Sequence, residues 1–309
     1  MDGKTLVYLL RQRLNEDEYS EFISERLSYT LLNQAADELV GRTGCLRATT
    51  TITTVADQQE YILPANFLAV LNADSQNRKF VQFTLAGSTV AQNVNEGVYA
   101  DMRNSGLTST SRIPGSFCIM DYVSTPSRVE GVATAISAKS EGECTLTCSA
   151  GMSSALLANV SVGDIIHNVT DVSSGYVIAK PSSLGLTTCL FDGTDNGWTT
   201  GDRYIIQPQG RMSIFFDRPL STSGDTITVE YLQRPAPVYS PYRAFRIPAQ
   251  QMNHLVDYAA EFYKYRDRNP KFGDAFGQKF DNSVRRAGQQ QRRARSDGRM
   301  GVNLKVQKR

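Results

Sequence analysis

The chain has 309 residues, 40% of them hydrophobic, and a formal net charge of +2. This is enough apolar material to close a core, which excludes disorder over the whole chain. The longest apolar runs fall far short of the roughly 20 residues that a membrane helix needs, and no apolar signal core follows the first residues. The sequence therefore predicts a soluble, unsecreted protein with no membrane partner.

The five cysteines form no CxxC pair, and their odd number argues against a disulfide framework. Cys144 and Cys148 are close in sequence, but on a strand they would lie about 13 Å apart, too far for a bridge or a shared metal ion. We therefore expect reduced, structural thiols.

Charge is distributed unevenly along the chain. Fourteen of the 33 basic residues but only four of the 31 acidic residues lie between Lys264 and Arg309. That stretch carries a net charge of +10, and the remainder carries −8. The sequence predicts an acidic body with a basic tail.

Two helices are predicted before residue 45. Leucines recur at helical spacing at Leu6, Leu10 and Leu14. Asn15 and Glu18 stand at capping-box spacing for a second helix. Its apolar stripe runs from Ile23 to Leu39, and Gly41 and Gly44 are suitable stops.

From Thr49 the pattern changes to β structure. Thr49 to Val55 is rich in β-branched residues, and shorter strands are predicted at Tyr61 to Leu63 and Phe67 to Leu71. Residues 72–116 are rich in Gly, Ser, Thr and Asn, which predicts an extended loop or arm with strand pieces such as Phe80 to Leu85.

Residues 129–209 consist almost wholly of short strand patterns and turns. Six strands are predicted, at Val132 to Ala138, Cys144 to Cys148, Asp164 to Val169, Tyr176 to Ala179, Leu186 to Phe191 and Tyr204 to Ile206. This spacing suits a small barrel or sandwich. The phrase Gly163-Asp164-Ile165-Ile166 is echoed by Gly201-Asp202-Arg203-Tyr204, which we interpret as a repeated turn, because one echo is too little to prove duplication.

Two strands, two helices and the basic tail follow. The strands are predicted at Met212 to Phe216 and Thr226 to Leu232. One helix begins after Pro248 and ends at Asn269-Pro270, and the next carries the stripe Phe272, Phe276, Phe280 and Val284.

The predicted class is therefore α+β, with a helical core from the N- and C-terminal helices and a β-rich middle that contains an inserted small β-barrel or sandwich. The predicted domains are a core of residues 1–128 plus 210–284, an inserted β-domain of residues 129–209 and a basic tail of residues 285–309.

No catalytic, cofactor or metal site is predicted. P-loop, dinucleotide-binding, zinc-protease and nucleophile-elbow motifs are absent, and the chain has only two histidines. His254, Asp257 and Glu261 could share a helix face, but they fall opposite the apolar stripe, where solvated side chains are expected. Six aspartates lie mostly in predicted turns, their usual place: Asp121, Asp164, Asp171, Asp192, Asp195 and Asp202. The chain is expected not to be an enzyme.

The basic tail is the charged feature that stands out. Three interpretations stay open: docking to an acidic partner, contact with DNA phosphates, or a solvated terminus. Docking is favoured over DNA binding because few aromatic residues follow Phe280 for base stacking. The candidate partner-binding residues are Arg285, Arg286, Arg292, Arg293, Arg295, Arg299, Lys305, Lys308 and Arg309.

Several stretches, taken in order, resemble the head-to-tail adaptor (connector) proteins of tailed bacteriophages. They are Leu31–Leu39, Gln59–Phe67 and Ile247-Pro248 before Leu255–Ala260. Val162–Asp171, with Ser174-Gly175 and Asn196–Asp202, is similar to a small β-domain inserted in such proteins.

This resemblance implies a structural virion protein at the head-tail junction, assembled in the host cytoplasm. It implies a homo-oligomeric ring, a dodecamer, that lies below the portal protein, contacts a tail or nozzle protein and continues the channel through which double-stranded DNA passes without sequence-specific binding. It also implies that the C-terminal segment reaches the portal and that the protein takes part in genome ejection. The alternative is a nucleic-acid-binding protein that uses its basic C-terminal tail.

Overall fold

The computed structural model describes residues 1–16, 23–71, 80–83, 89–93, 110–120, 127–148, 159–182, 184–266 and 270–295. Within these residues the chain folds into four α-helices and a β-rich middle, which confirms the α+β class. The helices are α1 (Gly3–Leu14), α2 (Glu25–Thr43), α3 (Met252–Arg266) and α4 (Pro270–Arg295), with a 3-10 turn at Ala249–Gln251.

The strands before residue 125 are β1 (Arg47–Thr53), β2 (Glu60–Ile62), β3 (Phe67–Val70), β4 (Phe80–Phe83), β5 (Thr89–Asn93) and β6 (Ser116–Met120). The next six are β7 (Val129–Val132), β8 (Cys144–Thr147), β9 (Ile165–Asn168), β10 (Ser173–Ala179), β11 (Gly185–Phe191) and β12 (Arg203–Gln207). The last two are β13 (Ser213–Phe216) and β14 (Thr226–Gln233). Most of the predicted arm between residues 72 and 116 lies outside the described residues.

Asn15 lies at a different helix end from the one predicted for it. Asn15 adopts a left-handed backbone conformation with a φ of 57° and ends α1, so the prediction that it begins the second helix is wrong. Asparagine tolerates this conformation and serves as a helix C-cap. Ser24 caps α2 instead, accepting a hydrogen bond from the Leu27 amide at 3.2 Å, and Gly44 ends it with a φ of 63°.

The apolar stripes of all four helices meet in one hydrophobic cluster. Leu6 and Leu10 of α1, Leu32 of α2, Leu255 of α3 and Phe280 of α4 are all fully buried in it. Each stripe repeats every three or four residues, which puts its members on one side of a helix. The N-terminal and C-terminal ends of the chain therefore pack together.

The first six strands, β1 to β6, form an eight-stranded sheet together with β13 and β14. Its strand order is β1-β14-β4-β5-β6-β13-β2, and β3 also pairs with β14. β5 and β6 are parallel, and the other pairs are antiparallel. One face of this sheet buries a cluster of its own around Tyr61, Phe117 and Phe216.

A separate six-stranded sheet has the order β7-β12-β9-β10-β11-β8. Its two edge strands meet, because Ala133 and Cys148 form an antiparallel bridge and the Thr134 amide donates to the Thr147 carbonyl at 2.9 Å. Trp198 fills the interior and donates from Nε1 to Thr188 Oγ1 at 2.9 Å. The hydrogen bond satisfies the one polar atom of this buried ring.

The echoed phrases fold into two equivalent turns. In each turn the glycine has a positive φ, 96° at Gly163 and 101° at Gly201. The following aspartate accepts a hydrogen bond at 2.7 Å from the amide three residues earlier, on Ser161 and Thr199 respectively. The positive φ favours glycine, and the short aspartate side chain can close the turn onto its own backbone.

The equivalence extends into the strands that follow the turns. β9 and β12 pair antiparallel, with Ile166 opposite Ile206 and Asn168 opposite Tyr204. Ile166 and Tyr204 each lie three residues after their turn glycine, and Asn168 and Ile206 each lie five residues after theirs. Each pair therefore joins the third position of one strand to the fifth position of the other. The two turns and the strands that follow them are therefore related by the local twofold axis between β9 and β12, and the echo reflects this repeated turn and strand.

Candidate partner-binding surfaces

The predicted basic tail begins inside a helix. α4 continues to Arg295, and Phe280 and Ala287 are buried on the side that faces the helical cluster. Arg42 of α2 holds this helix from the side, donating from Nη1 to Asp281 Oδ1 at 2.7 Å. The amphipathic pattern therefore continues past residue 284.

The structure brings two of the nine candidate basic residues together. Arg285 and Arg286 are exposed neighbours on α4. Arg292, Arg293 and Arg295 lie on the same helix, outside the described side chains, and Arg299, Lys305, Lys308 and Arg309 lie outside the described residues. A spacing of seven residues returns to about the same face of a helix, so the positions of Arg285 and Arg292 align, as do those of Arg286 and Arg293.

Asp257 lies in a buried position between α1 and α3, with 7% of its surface exposed. The prediction that it belongs to a solvated face is wrong, because α1 packs across this side of α3. Arg13 Nη1 lies 3.2 Å from Asp257 Oδ1, but that oxygen has no partner in hydrogen-bond geometry. Burial raises the pKa of the Asp257 carboxyl, and Arg13 opposes this rise.

His254 lies on the same helix, one turn before Asp257. Burial lowers the pKa of its imidazole, Asp257 opposes this shift and Arg286 adds to it. Within the described part of the chain, no group of three or more His, Cys, Asp or Glu side chains is placed to hold a metal ion. The geometry at His254 and Asp257 is that of an electrostatic contact between packed helices.

The predicted turn aspartates mostly accept hydrogen bonds from nearby amides. Asp164 is 1% exposed and accepts from the Ser161 and Gln209 amides, and burial raises the pKa of its carboxyl. Asp202 accepts from the Thr199 amide and from Asn168 Nδ2. Asp195 accepts from the Gly197 amide and Asp171 from Asn168 Nδ2, whereas Asp192 pairs with Arg26. Asp121 lies outside the described residues.

An aromatic contact joins the six-stranded sheet to the helices. The rings of Tyr176 on β10 and Tyr239 stack with centroids 3.7 Å apart and planes 4° from parallel. Arg26 of α2 lies over the Tyr176 ring at 5.9 Å and donates from Nη1 to Asp192 Oδ2 at 2.6 Å. Tyr29 is 1% exposed in the same cluster. Cation–π attraction and ring stacking add to the area buried here.

A second contact lies beside it. Glu143, just before β8, accepts two hydrogen bonds from Arg243 and one from Ser240 Oγ. Burial raises the pKa of the Glu143 carboxyl, but the hydrogen bonds from Arg243 and Ser240 outweigh it and lower the pKa overall. The two contacts hold the six-stranded sheet at two points against α2 and the segment before α3.

The order of helices and strands along the chain agrees with the family that the sequence resembles. Helices from both ends of the chain and a β-rich middle between them are what the resemblance to phage adaptors predicts. The family model described as SU10 adaptor protein matches residues 1–131 and 100–303. The chain belongs to the SU10 adaptor protein family, which confirms the assignment to phage head-to-tail adaptors.

A comparison with curated proteins finds no match. Among the described helices, none is both long enough and apolar enough to cross a membrane. As a phage structural adaptor, the protein is a component of the virion.

Proposed function

We propose that this protein forms a ring below the portal of a tailed phage, joins the capsid to the tail and continues the DNA channel. The match to the SU10 adaptor family over residues 1–131 and 100–303 is the observation that carries this function. The ring is a dodecamer, its partners are the portal protein and a tail or nozzle protein, and its role is structural and not enzymatic.

The charge distribution supports this role. The stretch from Lys264 carries +10 and the rest of the chain −8. A basic helix can bind an acidic surface of the portal, because complementary potentials steer and orient the encounter. An acidic body suits a channel wall, since it repels DNA phosphates and lets the genome slide.

Residues 129–209 act in this proposal as a domain inserted into the adaptor core. Three observations support an insertion. Val129, at the start of β7, is paired with Ile206, near the end of β12, so the chain enters and leaves at neighbouring points. The six strands bury their own cluster around Trp198 and Tyr204. Residues on either side of the segment build the eight-stranded sheet and the helical cluster.

Cosedimentation of the purified chain with purified portal tests the function. The proposal predicts that the two proteins migrate together in a complex of fixed stoichiometry, without DNA. Separate migration at concentrations at which both proteins are folded would count against it. The nucleic-acid alternative predicts binding to DNA that weakens steeply with salt and does not require the portal.

A further inference from the structure

The edge of the eight-stranded sheet at β1 is open in the described part of the chain. Among the described strands only β14 pairs with β1, and the seven residues from Arg47 to Thr53 alternate between exposed and half-buried. The strand contains no proline, lysine or glycine, and Arg47 is its one charged residue. It therefore lacks most of the devices that keep edge strands from pairing with another chain.

The hydrogen-bond register shows which backbone groups point outward. The Gln233 amide donates to Leu46, and the Thr54 amide donates to Asp225. Bonding alternates along an antiparallel pair, so the even-numbered residues of β1 bond to β14. The amides and carbonyls of Arg47, Thr49, Thr51 and Thr53 then point away from the sheet. They form a regular row of donors and acceptors that a further strand can bind.

The C-terminal end of the chain has the pattern of such a strand. In Val302-Asn303-Leu304-Lys305-Val306-Gln307 apolar and polar residues alternate strictly, which is typical of a half-buried strand. We propose that residues 302–307 of a second copy of the chain add as a strand to the outer edge of β1.

The two faces of the new strand would match those of β1. On β1, Ala48 and Ile52 are half-buried and pack against the cluster of the eight-stranded sheet. Val302, Leu304 and Val306 would extend this apolar face, and the polar residues between them would extend the exposed threonine face. Backbone hydrogen bonds supply the affinity in strand addition, and the alternate side chains supply its specificity.

A second copy is the occupant because each copy offers both the β1 edge and a segment with the pattern of a strand. A contact of this head-to-tail kind, repeated around a rotation axis, closes a ring in which every β1 edge is covered. This inference rests on the proposed ring. It also assigns Lys305, Lys308 and Arg309 to the contact between copies, which leaves portal docking to the basic residues of α4.

Disulfide trapping between two variants tests the inference. Copies with Thr51→Cys are mixed with copies that carry Asn303→Cys, Lys305→Cys or Gln307→Cys and are assembled with the portal. Residues opposite each other on paired strands have Cα atoms about 4.5–5.5 Å apart, within reach of a disulfide. We expect a mixed disulfide in one of the three mixtures. The matched control, Thr50→Cys, places its thiol on the other face and should give at least tenfold less product.

The other outcomes separate the strand contact from the ring. A disulfide that forms only within a chain carrying both substitutions would mean that the tail covers its own β1. No disulfide in any mixture would mean that another strand or none binds there. A ring that assembles without the disulfide overturns the strand contact alone. A mixed disulfide without ring assembly overturns the proposed function and leaves the contact standing.

A proline substitution provides a second test that does not depend on thiols. Thr51→Pro removes an amide that points outward and leaves the bonds between β1 and β14 in place, because proline is tolerated on the open side of an edge strand. We expect the subunit concentration needed for ring assembly to rise at least tenfold, while the monomer remains folded. Thr51→Val keeps the amide and should assemble normally. Equal assembly of the two variants would overturn the inference.

Discussion

Glu143 and Arg243 are joined by two hydrogen bonds, from Arg243 Nε to Oε1 at 2.6 Å and from Nη2 to Oε2 at 3.0 Å. The carboxylate precedes β8, and the guanidinium belongs to the segment before α3. This two-point geometry fixes orientation as well as distance. It therefore limits rotation of the six-stranded sheet relative to the helices.

Replacing this carboxylate should destabilise the protein in a pH-dependent way. For Glu143→Gln we expect a loss of about 1.5–3 kcal/mol in the free energy of unfolding at neutral pH, the range for hydrogen bonds to charged groups. The folded-state pKa of Glu143 is below its ordinary value of 4.5. The wild-type advantage is therefore present above pH 4.5 and is lost as the pH falls through the folded-state pKa. Denaturant unfolding across this range measures it, and a difference independent of pH would contradict the prediction.

Asp257→Asn should give the opposite dependence on pH. Burial raises the pKa of Asp257 in the folded state above its ordinary value of 3.8. The folded wild type therefore loses stability as the pH rises from 3.8 through this raised pKa. Asparagine does not titrate. The free energy of unfolding of the variant, relative to the wild type, should therefore increase from below pH 3.8 to neutral pH. The same denaturant series tests this, and a relative decrease would show that the ion pair with Arg13 dominates.

The two equivalent turns should respond alike to loss of their aspartates. Asp164→Ala and Asp202→Ala each leave a turn amide without its acceptor, which costs about 1–3 kcal/mol. The two costs should be similar, because each aspartate also accepts a second hydrogen bond, Asp164 from the Gln209 amide and Asp202 from Asn168 Nδ2. Glu130→Ala, exposed on β7, is the control and should change stability by less than about 0.5 kcal/mol. Thermal unfolding of the three variants compares them.

Local patterns predicted the elements better than the contacts between them. Leucine spacing predicted α1, and alternating residues predicted most strands of the six-stranded sheet. Asn15 was assigned to the wrong helix because asparagine serves at both helix ends, and its backbone conformation decides which. Asp257 was misplaced because its burial depends on α1, which is distant in sequence.

The contacts that attach the six-stranded sheet to the helices had no sequence signal. Arg26 meets Asp192, and Glu143 meets Arg243, across separations of 166 and 100 residues. Nothing in the neighbourhood of these residues marks them as partners. By contrast, the repeated Gly-Asp phrase did predict a repeated turn, because a turn is closed by residues that are adjacent in the chain.

Neutralising the basic face of α4 should weaken portal binding. We expect at least a tenfold loss of affinity for Arg285, Arg286, Arg292 and Arg293 changed to Gln, because complementary charge steers and orients the contact. A variant with Arg112, Arg128, Arg203 and Arg246 changed to Gln removes the same charge elsewhere and should bind nearly normally. Titration of labelled portal at two salt concentrations measures both. Equal losses in the two variants would point to net charge and not to this surface.

Electron microscopy of the purified chain with and without its portal tests the central claim most directly. The proposed function predicts a closed ring of this chain on the tail-side face of the portal, coaxial with the DNA channel. Particles in which the chain stays monomeric, or binds the portal away from the channel axis, would contradict it.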